Sequence, residues 1–276
     1  MYRLPHGMRY STLDERKEFY EKEFDLEGVR NWLGQKKNTV FALIIGRHTN
    51  IYPKEYKGIR KNTVVIDDYK DVKDLAEYFV QYLPEAVYYD RGVRRDLDIC
   101  GSCKIAYKNC WKCPYDNFIG QELVFDIDPE NITCPYHGSL GQKMKAKQGL
   151  GFCMYEFNEA KKQTKRLYDE LSNEFSRLRI VYSGRGFHVH VLDEGAYIFT
   201  RKEREKIASE KGKRYAIDEW VTIGDMRLIR LPYSLHGMVS RICLPLDVEE
   251  VEGFDPRKDK RCFPMFMKNS EVNRKT

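Results

Sequence analysis

Glu122-Leu-Val-Phe-Asp-Ile-Asp128 is the stretch on which the reading of the fold turns. On an extended strand side chains alternate between faces, so Leu123, Phe125 and Ile127 point one way and Val124, Asp126 and Asp128 the other. Two carboxylates then share one face, roughly 6 to 7 Å apart along the backbone, where their oxygens can share a divalent cation. Aspartate is disfavoured in strands, and a metal role accounts for the stability such a pair costs; the competing reading is a strand that runs out into a turn at Pro129. Asp96 and Asp98 form a second Asp-x-Asp, but they follow Arg94-Arg95 and no apolar run, which reads as a surface charge cluster.

Residues 179–182 and 187–192 read as two further strands around Ser183-Gly-Arg-Gly186, with Phe187, Val189 and Val191 on one side and His188 and His190 on the other. Backbone N–H groups, a hydroxyl, a guanidinium and an imidazole gathered at one turn suit phosphate oxygens; an ordinary hairpin turn is the bland alternative. Residues 226–231 and 240–244 are expected to form another strand pair joined by Pro232-Tyr-Ser-Leu-His-Gly237, setting Arg227, Arg230, Ser234 and His236 near Asp218 and Asp225. A capping box at Thr12 and Glu15 opens a helix expected to run to about residue 25, and apolar residues at helical spacing predict helices over 71–83 and 158–175. Helices mixed with antiparallel hairpins predict an α+β (mixed α/β) fold, helices flanking β-sheets. With no internal repeat or Pro-, Gly- or Ser-rich linker, residues 1–276 are expected to form a single domain.

The 276 residues are 42% hydrophobic and 33% charged, with 19 Tyr, 14 Phe and 3 Trp, enough apolar material for a sizeable core and far from a disordered composition. A mean hydropathy of −0.64 and a longest apolar run of only Phe41-Ala-Leu-Ile-Ile45 exclude an ordinary helical membrane protein. Met1-Tyr-Arg-Leu-Pro-His lacks the apolar core of a signal peptide, and a cytoplasmic location is expected. The net charge of +6 is mild, but seven basic residues against two acidic ones occupy 141–166, and seven more fall within 201–214. These runs are either solvated faces or grips for a polyanion.

Cys100-x2-Cys103-x6-Cys110-x2-Cys113 places four thiols where they can close a tetrahedron around Zn²⁺ within one small knuckle inserted at 100–113. Such a site is closed and structural; a redox pair or an iron–sulfur cluster are its alternatives. Cys134-x2-His137 with Cys153 offers three further ligands. Glu156, at C-x2-E spacing from Cys153, is an uncommon fourth, and partly buried ordinary cysteines are the competing reading.

Three stretches, Glu122-Leu-Val-Phe-Asp-Ile-Asp128, Tyr182-Ser-Gly-Arg-Gly-Phe-His188 and Arg227-Leu-Ile-Arg-Leu-Pro-Tyr-Ser-Leu-His-Gly237, resemble in order the three motifs of the catalytic small subunit of the archaeo-eukaryotic DNA primases. The resemblance extends from Arg16-Lys-Glu-Phe-Tyr20 to Gly253-Phe-Asp-Pro256. It implies a mixed α/β catalytic core with an open cleft and a small zinc module, working by nucleotidyl transfer with two Mg²⁺ or Mn²⁺ ions. The ions would be held by Asp126, Asp128 and a third aspartate eighteen residues before His236, which is Asp218; Asp225 is the competitor. Ser183, Arg185, His188, Arg230 and His236 match residues that hold the incoming triphosphate. The implied partners are single-stranded DNA template, NTPs or dNTPs, and a primase large subunit. A repair primase-polymerase preferring dNTPs and a catalytically silent zinc-dependent nucleic-acid-binding module are the alternatives. The chain departs from the pattern in carrying its complete four-cysteine set before the Asp-x-Asp, where archaeal members usually carry zinc ligands after it.

Overall fold

The computed structural model describes residues 2–34, 36, 39–56, 63–94, 118–224 and 228–272. Cys100, Cys103, Cys110 and Cys113, with Asp96, Asp98, Asp225 and Arg227, lie outside the described residues.

In chain order the elements are α1 (Leu13–Lys22), α2 (Leu26–Leu33), β1 (Phe41–Ile44), β2 (Thr63–Ile66), α3 (Val72–Tyr82), β3 (Ala86–Asp90), β4 (Gly92–Arg94), β5 (Phe118–Gln121) and β6 (Leu123–Ile127). There follow α4 (Leu140–Lys145), α5 (Met154–Leu171), β7 (Leu178–Tyr182), β8 (Phe187–Val191), α6 (Glu194–Tyr197), α7 (Arg201–Gly212) and α8 (Glu219–Ile223). The chain continues through β9 (Leu228–Arg230), β10 (Leu235–His236), β11 (Arg241–Ile242), β12 (Leu244–Leu246), α9 (Val248–Val251) and α10 (Met265–Val272).

Antiparallel pairing builds two four-stranded sheets, in the orders β2-β1-β3-β9 and β12-β7-β8-β6, with two short ribbons, β4–β5 and β10–β11. The architecture is the expected mixture of helices and antiparallel sheets. Within the second sheet β8 lies between β7 and β6, which sets Asp126 directly opposite His188 and Val124 opposite His190. The apolar face of β8 packs beneath α5, where Phe157 meets Phe187 at 5.2 Å between ring centroids. On the polar face His190 meets the edge of Trp32 at 5.0 Å, so both faces of the strand are buried.

Local chemistry places the helices. Thr12 and Glu15 form the capping box of α1, which ends at Lys22, a little before the expected end, and Asp25 caps a further helix, α2, beyond it. Asp71 accepts the Lys73 and Asp74 N–H groups at the start of α3, whose buried face includes Leu75 and Phe79; Phe79 packs against Tyr20 and Phe24, 5.3 Å to each ring. Helix α5 begins a turn earlier than its apolar spacing indicates, because Glu156 reaches back to the Cys153 N–H at 2.8 Å.

One expected pairing is corrected. Residues 228–230 pair with β3 in the first sheet, whereas 241–242 pair with 235–236 and 244–246 join β7 in the second. The segment 228–246 therefore crosses from the first sheet to the second, with one short internal ribbon on the way. That crossing carries Arg230 and His236 to the face where Asp126 and His188 sit.

Candidate active site

A cavity of about 300 Å³ is lined by both sheets and the connections at their ends. Asp126 enters it from β6 and Asp128 from the residue after that strand's end; Ser183 and Arg185 come from the β7–β8 turn, His188 from β8, Arg230 from β9 and His236 from β10. Asp218 is brought alongside by its N–H, which donates to the Asp126 carbonyl at 2.8 Å, and its side chain caps α8. The structure thus brings all eight of these residues to one place, although their roles come from the resemblance and not from the geometry.

Two glycines make the turn between β7 and β8 fit. Gly184 has a φ of +97°, and a Cβ there would meet the His236 side chain at 2.5 Å. A Cβ on Gly186 would meet the Ile127 carbonyl oxygen at 2.4 Å and Asp128 Oδ1 at 2.7 Å. Ser183 Oγ accepts the Gly186 N–H at 3.1 Å, and Gly186 returns its carbonyl to the Ser183 N–H, so part of the turn's donor set is engaged internally.

Charge is separated across the cavity. Burial, then Asp128 and Asp218, hold the Asp126 carboxyl well above the usual carboxylate range. His188 Nε2 stands 3.6 Å from Asp126 Oδ1, too far for a hydrogen bond. Burial, reinforced by Arg230 and other cations, keeps both His188 and His236 well below the ordinary imidazole value, so both rings are neutral at pH 7. Arg185 contacts Glu130, lies 3.6 Å from Asp128 Oδ2 and donates to the Leu150 carbonyl at 3.4 Å. Arg230 donates Nη2 to the Tyr88 hydroxyl at 2.9 Å.

Several polar atoms here have no partner among the described residues. Asp126 Oδ1, His188 Nδ1, Arg230 Nη1 and His236 Nδ1 are buried without a hydrogen bond. An unsatisfied buried polar group costs about 1–3 kcal/mol, and four around one cavity mark a place where water or a ligand completes the bonding. The residues fit a divalent cation on the carboxylate side, since clustered carboxylates that raise one another's pKa are relieved by a cation.

Glu130, Tyr88, His48 and Glu85 also line the cavity and are not singled out by the sequence reading. Glu130 continues the alternation of Asp126-x-Asp128 and was findable on that ground. The other three come from the first sheet and its loops, with no local motif to announce them. His190 and Glu122, by contrast, belong to a buried network behind the site. Glu122 contacts Lys36, accepts from the Tyr89 hydroxyl at 3.0 Å and lies 3.6 Å from His190 Nδ1. Burial opposes its ionisation, but Lys36 and His190 hold its carboxyl well below the usual range.

A second cluster follows in the chain. Cys134 Sγ is 3.3 Å from His137 Nδ1 and 3.9 Å from Cys153 Sγ, and one ligand atom from each of these and Glu156 falls within 4.8 Å of the rest. Two thiols, an imidazole and a carboxylate fit Zn²⁺. Glu156 also takes the buried Lys143 ammonium at 2.6 Å, and a carboxylate retains lone pairs for a metal beyond those bonds.

An acidic wall thus faces a cationic, donor-rich wall across one small cavity. No family model matches the chain. An uncharacterized DNA primase small subunit-like protein of Archaeoglobus fulgidus is 55% identical over 271 residues, covering 98% of this chain and 95% of its own length. The chain belongs to the family of DNA primase small subunit-like proteins. DNA primase small subunit PriS of Pyrococcus abyssi is 30% identical over 207 residues, 73% of this chain and 49% of its own; PriS of Pyrobaculum calidifontis is 25% identical over 67% of each. The chain thus spans about half the length of the Pyrococcus relative. Among solved structures, the polymerase domain of Mycobacterium tuberculosis ligase D in complex with DNA aligns with 95% of this chain and 87% of its own, at a TM-score of 0.49 and 14% identity.

Proposed function

We propose that this chain is a primase-type nucleotidyltransferase that makes short primers on single-stranded DNA, from NTPs or dNTPs, acting with a large subunit in the cytoplasm. The observation that carries the reading is the cavity in which Asp126, Asp128 and Asp218 face Arg185, Arg230, His188 and His236, with buried polar atoms of both walls left unpartnered. A metal-bound triphosphate supplies both the cation and the anion that these walls lack.

Asp126, Asp128 and Asp218 would hold two Mg²⁺ or Mn²⁺ ions, which supply charge stabilisation for an in-line displacement. A 3′-oxygen bonds to the α-phosphorus of the incoming nucleotide while the bond to the bridging oxygen breaks and pyrophosphate leaves. Arg185 and Arg230 offset charge on the triphosphate, and the neutral rings of His188 and His236 each donate one N–H to its oxygens. Ser183 Oγ stands in the same wall. The Glu130 carboxylate holds the Arg185 guanidinium in place beside Asp128. Structural Zn²⁺ belongs to the reading at Cys100, Cys103, Cys110 and Cys113, and at Cys134, His137, Cys153 and Glu156.

The test is synthesis on single-stranded DNA without a supplied 3′ end, comparing rNTPs with dNTPs and Mg²⁺ with Mn²⁺. New oligonucleotides support the primase reading and give its sugar preference. Products only when a primer is supplied, with dNTPs preferred, would replace it with the repair polymerase.

A further inference from the structure

His48 reaches the cavity from the loop after β1, far in sequence from the residues that resemble triphosphate ligands. We propose that His48, held by Glu85, forms a further phosphate-binding subsite of this cavity and takes the terminal phosphates of the nucleoside triphosphate. The inference rests on the nucleotidyl-transfer reading above.

Glu85 is the anchor. Its side chain is buried, 2% exposed, and both carboxylate oxygens are committed to one loop. Oε1 lies 2.8 Å from His48 Nδ1 and accepts the His48 backbone N–H at 2.9 Å; Oε2 accepts the Thr49 N–H at 3.0 Å and its hydroxyl at 2.6 Å. Arg16 fixes the same loop, donating to Thr49 Oγ1 and to the Ile51 carbonyl. With Nδ1 taken by the carboxylate, Nε2 is the remaining polar edge of the ring, and the carboxylate behind it offsets the charge that the ring carries when it donates to an anion. The His48 side chain keeps 34% of its surface accessible, unlike the buried His188 and His236.

Glu85 also aligns His48 with the triphosphate wall. Its backbone carbonyl accepts the Gly237 N–H at 2.8 Å, so one residue positions His48 through its side chain and the His236 segment through its main chain. His48 and His236 are close enough for His48 to contribute to the depression of the His236 pKa, together with Arg230 and Arg185. An anion drawn to Arg185, Arg230 and His236 therefore comes within the field of His48, on the cationic side of the cavity and not the carboxylate side.

The experiment measures binding of a nucleoside tri-, di- and monophosphate by calorimetry, with Mg²⁺ present and no template, on the full chain and on His48→Ala and Glu85→Gln. His48→Ala should weaken the triphosphate about tenfold, which is about 1.4 kcal/mol, weaken the diphosphate less, and leave the monophosphate unchanged. Glu85→Gln should show the same order with a smaller loss. Equal triphosphate affinity in wild type and His48→Ala overturns the subsite while leaving the nucleotidyl-transfer reading standing. A uniform loss across all three ligands also overturns it, placing His48 against sugar or base. No triphosphate binding by the wild type overturns the nucleotidyl-transfer reading and the subsite with it.

Discussion

Asp126, one of the proposed metal ligands, stands out by what it costs the fold. Its carboxyl is held above its unfolded value by burial and by Asp128 and Asp218, so ionisation costs the folded state stability at neutral pH. The cost disappears as pH falls below the ordinary carboxylate range, where the unfolded chain is protonated too. Asp126→Asn should therefore raise the melting temperature in chelator at pH 7 by about 2–4 °C, roughly the effect of 1 kcal/mol, with the gain shrinking toward pH 4. Thermal unfolding across pH checks this; a destabilised variant at pH 7 would show that the carboxylate is a structural group. The sequence made this residue legible because a carboxylate pair on a strand is expensive. It did not make His48 or Glu85 legible, since a loop histidine and a carboxylate 37 residues apart become a pair only when β1 and β3 align.

At the scale of elements, alternation and helical spacing found β6, β7, β8, α3 and most of α5. Period alone does not choose partners, however, and the segment 228–246 pairs with β3 at one end, with β7 at the other and with itself between. The basic runs were legible as charge but not as structure. Lys143 is buried against Glu156, Lys161 donates to the Glu252 and Phe254 carbonyls, and Arg204 is buried and donates to the Gln121, Glu122, Phe199, Ala196 and Tyr197 carbonyls. Lys211, Arg214 and Tyr215 converge on Glu170, which ties α7 to α5. Burial raises the Glu170 pKa, but these bonds outweigh it and bring it down to about 2. A depressed pKa contributes stability above the unfolded value, lost as pH falls toward 2. Glu170→Gln should then lower stability by about 1 kcal/mol at pH 7, the upper end for accessible pairs, and flatten the acid limb of the pH–stability curve in urea unfolding. Cys134→Ser should remove one zinc equivalent, read by metal analysis, and lower thermal stability; unchanged zinc content would leave Cys134, His137 and Cys153 as ordinary, partly buried side chains.

For the molecule as a whole, the two sheets matter because the site belongs to neither. Asp126, Asp128, Ser183, Arg185 and His188 come from the second sheet and its connections, Tyr88 and Arg230 from the first, and Asp218 is pinned to β6 by a backbone bond. One buried apolar cluster, including Phe41, Leu43 and Tyr89 of the first sheet and Phe125, Phe187 and Val189 of the second, holds the walls at a fixed separation. No helix among the described residues is long and apolar enough to cross a membrane. Lys145, Lys147, Lys202 and Lys206 remain exposed on the surface, and template binding through such groups should weaken steeply with added salt. The central claim is that the three carboxylates serve chemistry and not folding. The most direct measurement is nucleotide incorporation by wild type and Asp128→Ala on the same template, with circular dichroism and template affinity measured alongside. The account predicts a loss of activity of at least about a thousandfold with fold and template binding retained; activity within a few-fold of wild type, or a variant that no longer folds, would contradict it.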